Sequence, residues 1–284
     1  MKVLVTGVGG QLGFDVMREL ARRGAEALGA DRAEFDITDA AATQKFITDF
    51  APDAVIHCSA YTAVDKAEDE AEACRAVNAD GPANIARVCR DLGAKMIYIS
   101  TDYVFPGTGE TFYEPADPVG PCNVYGQTKL LGEEAVKEIL QKYFIVRISW
   151  VFGKNGNNFI KTMLRLGRER EELSVVSDQW GSPTYTKDLA PLLCDMIETD
   201  KYGTYHATNE GVTNWADFAK EIFKEANISC KVRPVSTEEY LTKAVRPKNS
   251  RLSKKCLDEA GFARLPSWQD ALRRYLEEIG LEKA

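Results

Sequence analysis

The chain has 284 residues and an acidic balance, with 43 Asp and Glu residues against 36 Lys and Arg residues and a formal net charge of −7. Its hydrophobic fraction of 44% is ordinary for a globular protein, and its length predicts one large domain with a smaller one appended. The acidity argues against a general binder of nucleic acid or membrane surfaces, and no run approaches the ~18 apolar residues that a membrane span needs.

The N-terminal stretch combines a buried strand with a glycine-rich turn. Residues 2–6 form a mainly apolar run, and a helical pattern follows over 11–23. Gly7, Gly10 and Gly13 stand between these elements with G-x-x-G-x-x-G spacing. The first glycine permits a tight turn, the second lets the backbone approach a pyrophosphate, and the third lets the helix pack on the strand. Together with the free N–H groups of the helix N-terminus, this pattern predicts a dinucleotide site.

The second strand, predicted at residues 27–30, ends in an acid and a base. Asp31 is suited to bond the adenine ribose hydroxyls, whereas Arg32 can pair with the 2′-phosphate of NADP. The two residues favour different coenzymes, so NADH and NADPH both stay open. Asp36 and Ile37 follow, where they either flank the adenine or form the capping turn of the next helix.

Two further buried strands are predicted at residues 54–59 and 95–100. A long helical region over 64–92 separates them, and its Gly-Pro pair predicts a kink. In a doubly wound sheet, ligands lie outside the carboxyl ends of the strands. Residues 60–62 are therefore expected along the middle of the coenzyme, and Thr101 is placed to bond a reacting carbonyl oxygen.

The next helix, predicted over residues 122–142, carries Tyr125 and Lys129 four positions apart. Residues i and i+4 share one helix face, so the phenol and the ammonium are expected to project into one space. A nearby cation favours the phenolate and is expected to lower the Tyr125 pKa, which makes the pair a candidate acid–base catalyst. The same spacing is common on ordinary helix surfaces, and only the dinucleotide site and Thr101 give it weight.

Past a fifth strand, predicted at residues 144–149, the alternation of strands and helices loosens. We expect an α/β fold, a Rossmann-type doubly wound parallel sheet with a smaller C-terminal substrate-binding lobe. The NAD(P)-binding domain is expected over 1–152, and the lobe over 153–284, interleaved with the last elements of the sheet. The remaining predicted elements include one strand at residues 173–176 and four helices. One is capped by Asn157 or Asn158 and runs to about Arg168, and the others lie at residues 186–198, 214–226 and 267–279.

Cysteine and histidine usage bears on compartment and metal binding. The seven cysteines are scattered and never spaced as Cys-x-x-Cys, which favours reduced thiols in a cytoplasm. The two histidines, His57 and His206, have no His or Cys neighbour at metal-ligand spacing, so we expect no zinc site. His57 follows an apolar run and is expected to be a structural strand residue.

In this order, the glycine motif, the acid after the second strand, Thr101 and the Tyr125–Lys129 pair resemble the extended short-chain dehydrogenase/reductase superfamily. The closer similarity is to the dTDP-4-dehydrorhamnose reductase family, and it spans nearly the whole chain. The Thr-Asp-Tyr-Val-Phe and Ser-Trp-Val stretches are more specific than Tyr-x-x-x-Lys alone. The segments that carry the resemblance are 7–13, 60–68, 100–109, 123–129, 147–151, 157–159, 178–184 and 246–252.

The resemblance implies a role for each matching residue. Tyr125 and Lys129 would contact the nicotinamide ribose and perform the chemistry with Thr101. Asp102 and Trp150 would meet the sugar together with Thr101. The residues assigned to the coenzyme, from the pattern or from the resemblance, are Gly7, Gly10, Gln11, Leu12, Gly13, Asp31, Arg32, Asp36, Ile37, Ala60, Tyr61, Thr62, Tyr125 and Lys129.

Metal binding and oligomeric state are left open by the same resemblance. Some bacterial members of the family are magnesium-linked dimers held by acidic residues. Asp15 stands at one such position, but the other positions find no match in this sequence. We therefore assign no metal ligand, and a bound Mg²⁺, a monomer and a homodimer all stay open.

The implied activity is the NADH- or NADPH-dependent reduction of the C4 ketone of dTDP-4-dehydro-L-rhamnose, with Tyr125 as the proton donor. One alternative is another nucleotide-sugar reductase or an epimerase. Dehydratases of the superfamily, which eliminate water, carry Asp-Glu after the Thr. Here Tyr103 follows Asp102, so the second carboxylate is missing, and this disfavours elimination. Another alternative is a non-catalytic nucleotide-binding regulatory subunit. The candidate cations for the diphosphate of a dTDP-sugar are Lys154, Arg165, Arg246 and Arg251.

Overall fold

The computed structural model describes residues 1–281, so the last three residues of the predicted 153–284 lobe lie outside the described part. Six parallel strands form the main sheet, and its order changes direction at the first strand of the chain. Such a switch point is where doubly wound sheets bind dinucleotides, and the predicted fold class is confirmed. From edge to edge the strands are β2 (Glu26–Ala30), β1 (Lys2–Thr6), β3 (Ala54–His57), β4 (Lys95–Thr101), β5 (Tyr143–Ile148) and β10 (Gly203–His206).

Helices cover both faces of this sheet. One face packs against α1 (Gln11–Arg22) and α8 (Thr186–Ile197). The other face packs against α2 (Ala40–Phe50), α5 (Gly81–Leu92) and α6 (Val124–Ile139). Because helices cover both faces of the sheet, nearly all side chains of β1, β3 and β5 are buried and apolar. This explains why these strands appear in the sequence as continuous hydrophobic runs.

The predicted helical region over 64–92 is divided into four pieces. They are α3 (Val64–Ala67), α4 (Ala71–Arg75), a π-helical turn (Ala76–Asp80) and α5. From Ala71 onward these pieces are contiguous, with helical backbone at Arg75 and Asp80, so Pro82 lies inside a continuous helix just after its π-helical turn. The π-helical turn contains the buried Asn78, whose side chain bonds Thr128 on α6.

The C-terminal part forms a second core and also returns to the main sheet. Strand β10 pairs with β5, more than fifty residues earlier in the chain. The smaller pairings are β6 (Val151–Phe152) with β9 (Thr184–Tyr185), β7 (Glu172–Val176) with β12 (Lys231–Val235), and β8 (Trp180–Gly181) with β11 (Thr213–Asn214) and β13 (Asn249–Ser250). The accompanying helices are α7 (Phe159–Glu169), α9 (Trp215–Glu225), α10 (Lys255–Ala260) and α11 (Trp268–Glu278). Within residues 1–281, none of the helices has both the length and the hydrophobicity to cross a bilayer.

Candidate active site

The glycine-rich turn lies at the carboxyl end of β1, as the sequence predicts. Gly7 has a φ of +74°, and a Cβ there would come 2.7 Å from the Ser59 backbone nitrogen. A Cβ on Gly13 would lie 2.3 Å from the Gly7 carbonyl oxygen, so only glycine allows α1 to approach the turn this closely. No side chain caps the first turn of α1, which leaves its N–H groups available to an anion.

A cavity of about 290 Å³ lies at the carboxyl ends of β1, β2 and β3 and is lined by both apolar and polar side chains. Its wall includes Asp31, Arg32, Asp36, Ile37 and Ala60, so the structure brings these predicted residues together. Asp31 Oδ2 accepts the Gly9 N–H at 2.8 Å, which directs the carboxylate into the cleft. Arg32 is exposed and its guanidinium lies 3.2 Å from the Asp36 carboxylate. Hydrogen bonds from Thr38 lower the Asp36 pKa and form a turn just ahead of α2, whose N-cap is Asp39.

The buried side-chain amide of Asn78 holds the segment after β3 against α6, the helix that carries Tyr125 and Lys129. Asn78 Oδ1 accepts the Tyr61 N–H at 2.8 Å, and Asn78 Nδ2 donates to the Tyr61 carbonyl and to Thr128. Thr128 lies on α6 between Tyr125 and Lys129. The predicted coenzyme segment 60–62 is therefore linked to the helix that carries the predicted catalytic pair.

The carboxyl end of β4 brings Thr101 and Asp102 close to Tyr125. Both are buried, and Thr101 Oγ1 donates to Asp102 Oδ1 at 2.9 Å. Ser250, on β13, donates a hydrogen bond to the other oxygen of the same carboxylate. Burial is the main cause that raises the Asp102 pKa to about 6, and the two hydroxyl donors oppose it.

The pKa of Tyr125 is shifted in the opposite direction from the one expected from the sequence. Burial raises the pKa of Tyr125 well above its ordinary value, the Asp102 carboxylate adds to the rise, and hydrogen bonding with Thr101 offsets part of it. The expectation that Lys129 lowers this pKa is wrong in this structure. Lys129 Nζ donates to the Ile99 carbonyl oxygen at 2.7 Å and lies 4.1 Å from the centre of the Tyr98 ring, so its charge is directed at the strand.

The Lys129 ammonium is itself perturbed. Burial lowers the pKa of Lys129 to about 7, and the nearby Glu133 carboxylate limits the fall. A buried cation of this kind gains from an additional acceptor such as a ribose hydroxyl. Tyr125 and Lys129 share one helix, and we expect them to act on one bound ligand from neighbouring positions.

The buried Asp102 leads to a stability prediction. Its pKa of about 6 in the folded protein exceeds the ordinary value of 3.8, so folding loses free energy as the pH rises between these values. The loss amounts to about 3 kcal/mol once Asp102 is ionised. Asp102→Asn keeps an acceptor and a donor for its two hydroxyl partners and has no proton to lose. We expect its melting temperature to exceed that of the wild type at pH 7.5, with a difference that shrinks towards pH 4.

A melting curve recorded over this pH range by scanning fluorimetry tests the prediction. Asp188→Asn is the matched control, because Asp188 accepts two hydrogen bonds from Arg274 at 2.6 and 2.7 Å and its charge is compensated. That control should lower the melting temperature at pH 7.5. A lower melting temperature for Asp102→Asn as well would show that Asp102 is not a strained carboxyl.

Trp150 follows the carboxyl end of β5 and has an unusual backbone conformation. Its φ is +50°, a conformation that costs energy for a non-glycine residue. The indole stacks on Trp215 at a centroid distance of 3.8 Å, and a Cβ on Gly181 would come 3.1 Å from the indole. Contacts with Trp215 and Gly181 therefore hold the indole in place.

The position considered for magnesium does not fit a metal. The buried Asp15 carboxylate accepts from Thr186 at 2.6 Å, and Arg18 lies 3.4 Å away. The neighbouring Glu278 carboxylate already pairs with Arg18 at 3.0 Å and with Lys187 at 3.3 Å. Two cations thus neutralise two carboxylates, and within residues 1–281 no group of three or more His, Cys, Asp or Glu side chains could hold a metal ion.

The four candidate cations for the diphosphate lie in different places. Arg246 bonds the Tyr103 hydroxyl at 3.3 Å and Asp65 at 2.6 Å, and the Tyr103 ring contacts the ring of Tyr125 edge-on. Arg251 lies over the exposed Trp180 ring, Lys154 is exposed, and Arg165 pairs with Glu169 along α7. Of the four, Arg246 has the contacts that place it nearest the catalytic helix.

Sequence patterns alone missed several residues that shape the site. Asn78 and Trp215 lie outside the segments that carry the resemblance, and Ser250 lies inside the segment 246–252 but was given no role there. All three reach the site through tertiary contacts. Arg147 did leave a signal, since it is the one charged residue inside the apolar run of β5. Glu133 left a weaker signal, four positions after Lys129 on the same helix.

Comparison with known proteins fits this geometry. Residues 1–281 match the family model described as the RmlD substrate binding domain. The chain is 41% identical to the spore coat polysaccharide biosynthesis protein SpsK of Bacillus subtilis, over 98% of this chain and 97% of that protein. It is 42% identical to the dTDP-4-dehydrorhamnose reductase of Streptomyces griseus, over 95% of this chain and 91% of that protein.

A solved structure is also similar along its whole length. The crystal structure of dTDP-4-dehydrorhamnose reductase from Bacillus anthracis in complex with NADP superposes with a TM-score of 0.95 at 46% identity, covering 98% of this chain and 99% of that one. The family model and these relatives extend over both the dinucleotide cleft and the C-terminal part. The chain therefore belongs to the RmlD family, the family of the dTDP-4-dehydrorhamnose reductases.

Proposed function

We propose that this protein is an NAD(P)H-dependent oxidoreductase that reduces the C4 ketone of dTDP-4-dehydro-L-rhamnose to dTDP-L-rhamnose. The observation that carries the proposal is the gathering of Thr101, Tyr125 and Lys129 at the carboxyl ends of the sheet, beside the glycine turn of a dinucleotide cleft. Relatives named as reductases of this substrate are about 40% identical over the full chain.

The chain's own residues supply the proton and the orientation. When bound, the reduced coenzyme supplies a hydride to the C4 carbon of the sugar. Tyr125 donates its proton to the developing alkoxide, and its raised pKa keeps the phenol protonated, as a proton donor must be. The Thr101 hydroxyl bonds the same oxygen. Lys129 turns its ammonium to the nicotinamide ribose and holds the ring beside the sugar.

The sugar is proposed to lie between the carboxyl end of β4 and the C-terminal lobe. Asp102 and Trp150 are proposed to contact the hexose, with Ser250 fixing the Asp102 carboxyl from the lobe side. Arg246 is proposed to meet the diphosphate, exchanging part of its bond to Asp65 for a phosphate oxygen. The boundary near residue 152 between coenzyme and substrate halves remains part of this proposal.

Substitutions of the adjacent residues Asp31 and Arg32 should shift the preference between NADH and NADPH in opposite directions. Arg32→Ala should shift the preference towards NADH, because the exposed guanidinium is the cation beside the adenosine cavity. Asp31→Ala should shift it towards NADPH, because a carboxylate repels the 2′-phosphate. Each shift should be severalfold, or about 1 kcal/mol, since the contacts are partly exposed to solvent.

The measurement is kcat/KM for both coenzymes in the wild type and the two variants. Lys45→Ala is a suitable control, because Lys45 is exposed and paired with Asp49 outside the cavity. Shifts in the same direction for Asp31→Ala and Arg32→Ala would disprove the assignment, as would preferences equal to those of the control.

A spectroscopic assay separates the reductase from a regulatory subunit. Purified protein, ketosugar nucleotide and either reduced coenzyme should lose absorbance at the reduced-nicotinamide band. Coenzyme binding without this loss would favour a regulatory subunit. All seven cysteines are free thiols, which supports a cytoplasmic setting, and we propose that the active form is a monomer or a homodimer.

A further inference from the structure

Arg147 is among the largest fully buried side chains of the described residues and lies on β5, between β4 and the edge strand β10. Its Nε and Nη2 atoms donate to the Glu133 carboxylate at 2.8 and 2.7 Å, and Nη1 donates to the Pro115 carbonyl oxygen at 3.1 Å. The guanidinium also lies 4.9 Å from the centre of the Phe105 ring. Every face of this charge is thus met by protein groups.

Glu133 connects strand β4 to helix α6. Besides Arg147, its carboxylate accepts the Ser100 hydroxyl at 2.6 Å. Burial opposes ionisation of Glu133, but the hydrogen bonds and charge of Arg147 outweigh it and keep its pKa below the ordinary value. Ser100 immediately precedes Thr101 on β4, and Glu133 lies one helical turn beyond Lys129 on α6.

Stability alone does not explain an ion pair in this place. Replacing a buried pair with packed apolar side chains is often neutral or stabilising, so such a pair needs a reason in geometry or charge. Here the two joined elements are β4, which carries Thr101, and α6, which carries Tyr125 and Lys129. A displacement of about 1 Å between reacting groups can cost about 10²-fold in rate.

We propose that Glu133 and Arg147 are positioning residues for the reduction. Their buried ion pair holds the end of β4 in register with α6, so that Thr101 and Tyr125 meet the same substrate oxygen. Through Pro115, the pair also fixes the loop that follows Phe105, at the border of the sugar site. This inference rests on the proposed reductase function.

The Glu133 carboxylate also acts on Lys129 through its negative charge. The negative charge of Glu133 helps to keep Lys129 protonated against the effect of burial. No other ionised carboxylate is among the groups that act on Lys129 within the described chain. The titratable groups that face Lys129 are Glu133 on α6, His57 on β3, Cys58 after β3, Cys74 on α4 and Tyr98 on β4.

Glu133→Gln is the first test, because it keeps the shape and an acceptor but removes the charge. We expect kcat to fall at least about tenfold, while the melting temperature stays high enough for assay at 25 °C. Asp188→Asn, which weakens the partly buried Asp188–Arg274 pair between α8 and α11, is the control and should leave kcat unchanged.

A second readout does not depend on turnover. NADPH affinity, followed by fluorescence, should weaken as the pH rises and Lys129 loses its proton. In Glu133→Gln the midpoint of this change should lie lower by about one pH unit or more, since an opposite charge has been removed. The control should keep the wild-type midpoint.

Ser100→Ala provides the evidence if Glu133→Gln does not fold. It removes only the hydroxyl that joins β4 to the carboxylate, and we expect kcat to fall severalfold with little change in melting temperature. A folded Glu133→Gln with wild-type kcat and wild-type midpoint would overturn the inference, as would an unchanged kcat in Ser100→Ala. If the wild type does not turn over the ketosugar, the proposed function fails, and the NADPH midpoint still decides the role of Glu133.

Discussion

Tyr125→Phe should reduce kcat by at least about 10²-fold and leave coenzyme binding nearly intact. The substitution removes one hydroxyl, and general acid catalysis typically contributes about 10²–10⁴-fold. The Tyr125 side chain is half-buried, and its hydroxyl lies beside Thr101 and close to Asp102. Initial rates at saturating ketosugar, together with the NADPH Kd, separate loss of chemistry from loss of binding.

A second tyrosine serves as the control for this variant. The Tyr205 hydroxyl donates to the Lys201 carbonyl oxygen, before the start of β10, so it lies at the amino ends of the parallel strands, whereas Thr101 lies at the carboxyl end of β4. Tyr205→Phe removes the same atom from a buried ring and should keep the wild-type kcat. If Tyr125→Phe also keeps it, Tyr125 is not the acid.

Lys129→Met should damage coenzyme affinity and rate together. One ammonium is proposed both to hold the nicotinamide ribose and to orient the ring, and a hydrogen bond to a charged group contributes about 1.5–3 kcal/mol. We therefore expect the coenzyme Kd to rise about tenfold or more and kcat to fall by about 10²-fold. The loss of contact with the Ile99 carbonyl is common to any apolar replacement, so Lys129→Arg is a useful companion that keeps the charge.

The pH dependence provides a sharper form of this prediction. Burial lowers the Lys129 pKa to about 7, so the ammonium is present below that pH and is lost above it. The wild-type coenzyme Kd should therefore rise as the pH increases through about 7. In Lys129→Met this dependence should be absent. A Kd that is unchanged at pH 6 in the variant would contradict the dual role of Lys129.

Local features of the sequence were sufficient to predict much of the fold and part of the site. The strand before Gly7, the spacing to Gly13 and the helix with Tyr125 and Lys129 are short-range patterns, and their physical reasons act within a few residues. The structure accordingly places these segments around one cleft.

Long-range contacts could not be predicted in the same way. Strand β10 is short and acquires its place from pairing with β5 far away in the chain. The direction of the Tyr125 pKa was wrong because a shared helix face does not determine where a long side chain ends. Lys129 reaches the Ile99 carbonyl instead of the phenol, and burial then dominates at Tyr125. The link from Glu133 to Ser100 joins positions 33 residues apart.

The most direct test of the proposed reductase activity is to identify the product of a single defined reaction. Purified protein is supplied with dTDP-4-dehydro-L-rhamnose and NADPH deuterated on the transferred position, and the sugar nucleotide is examined by NMR. The proposed reductase should form dTDP-L-rhamnose with deuterium at C4 and one configuration at that carbon. Unchanged ketosugar, a C4 epimer, or deuterium elsewhere in the ring would contradict the proposed function.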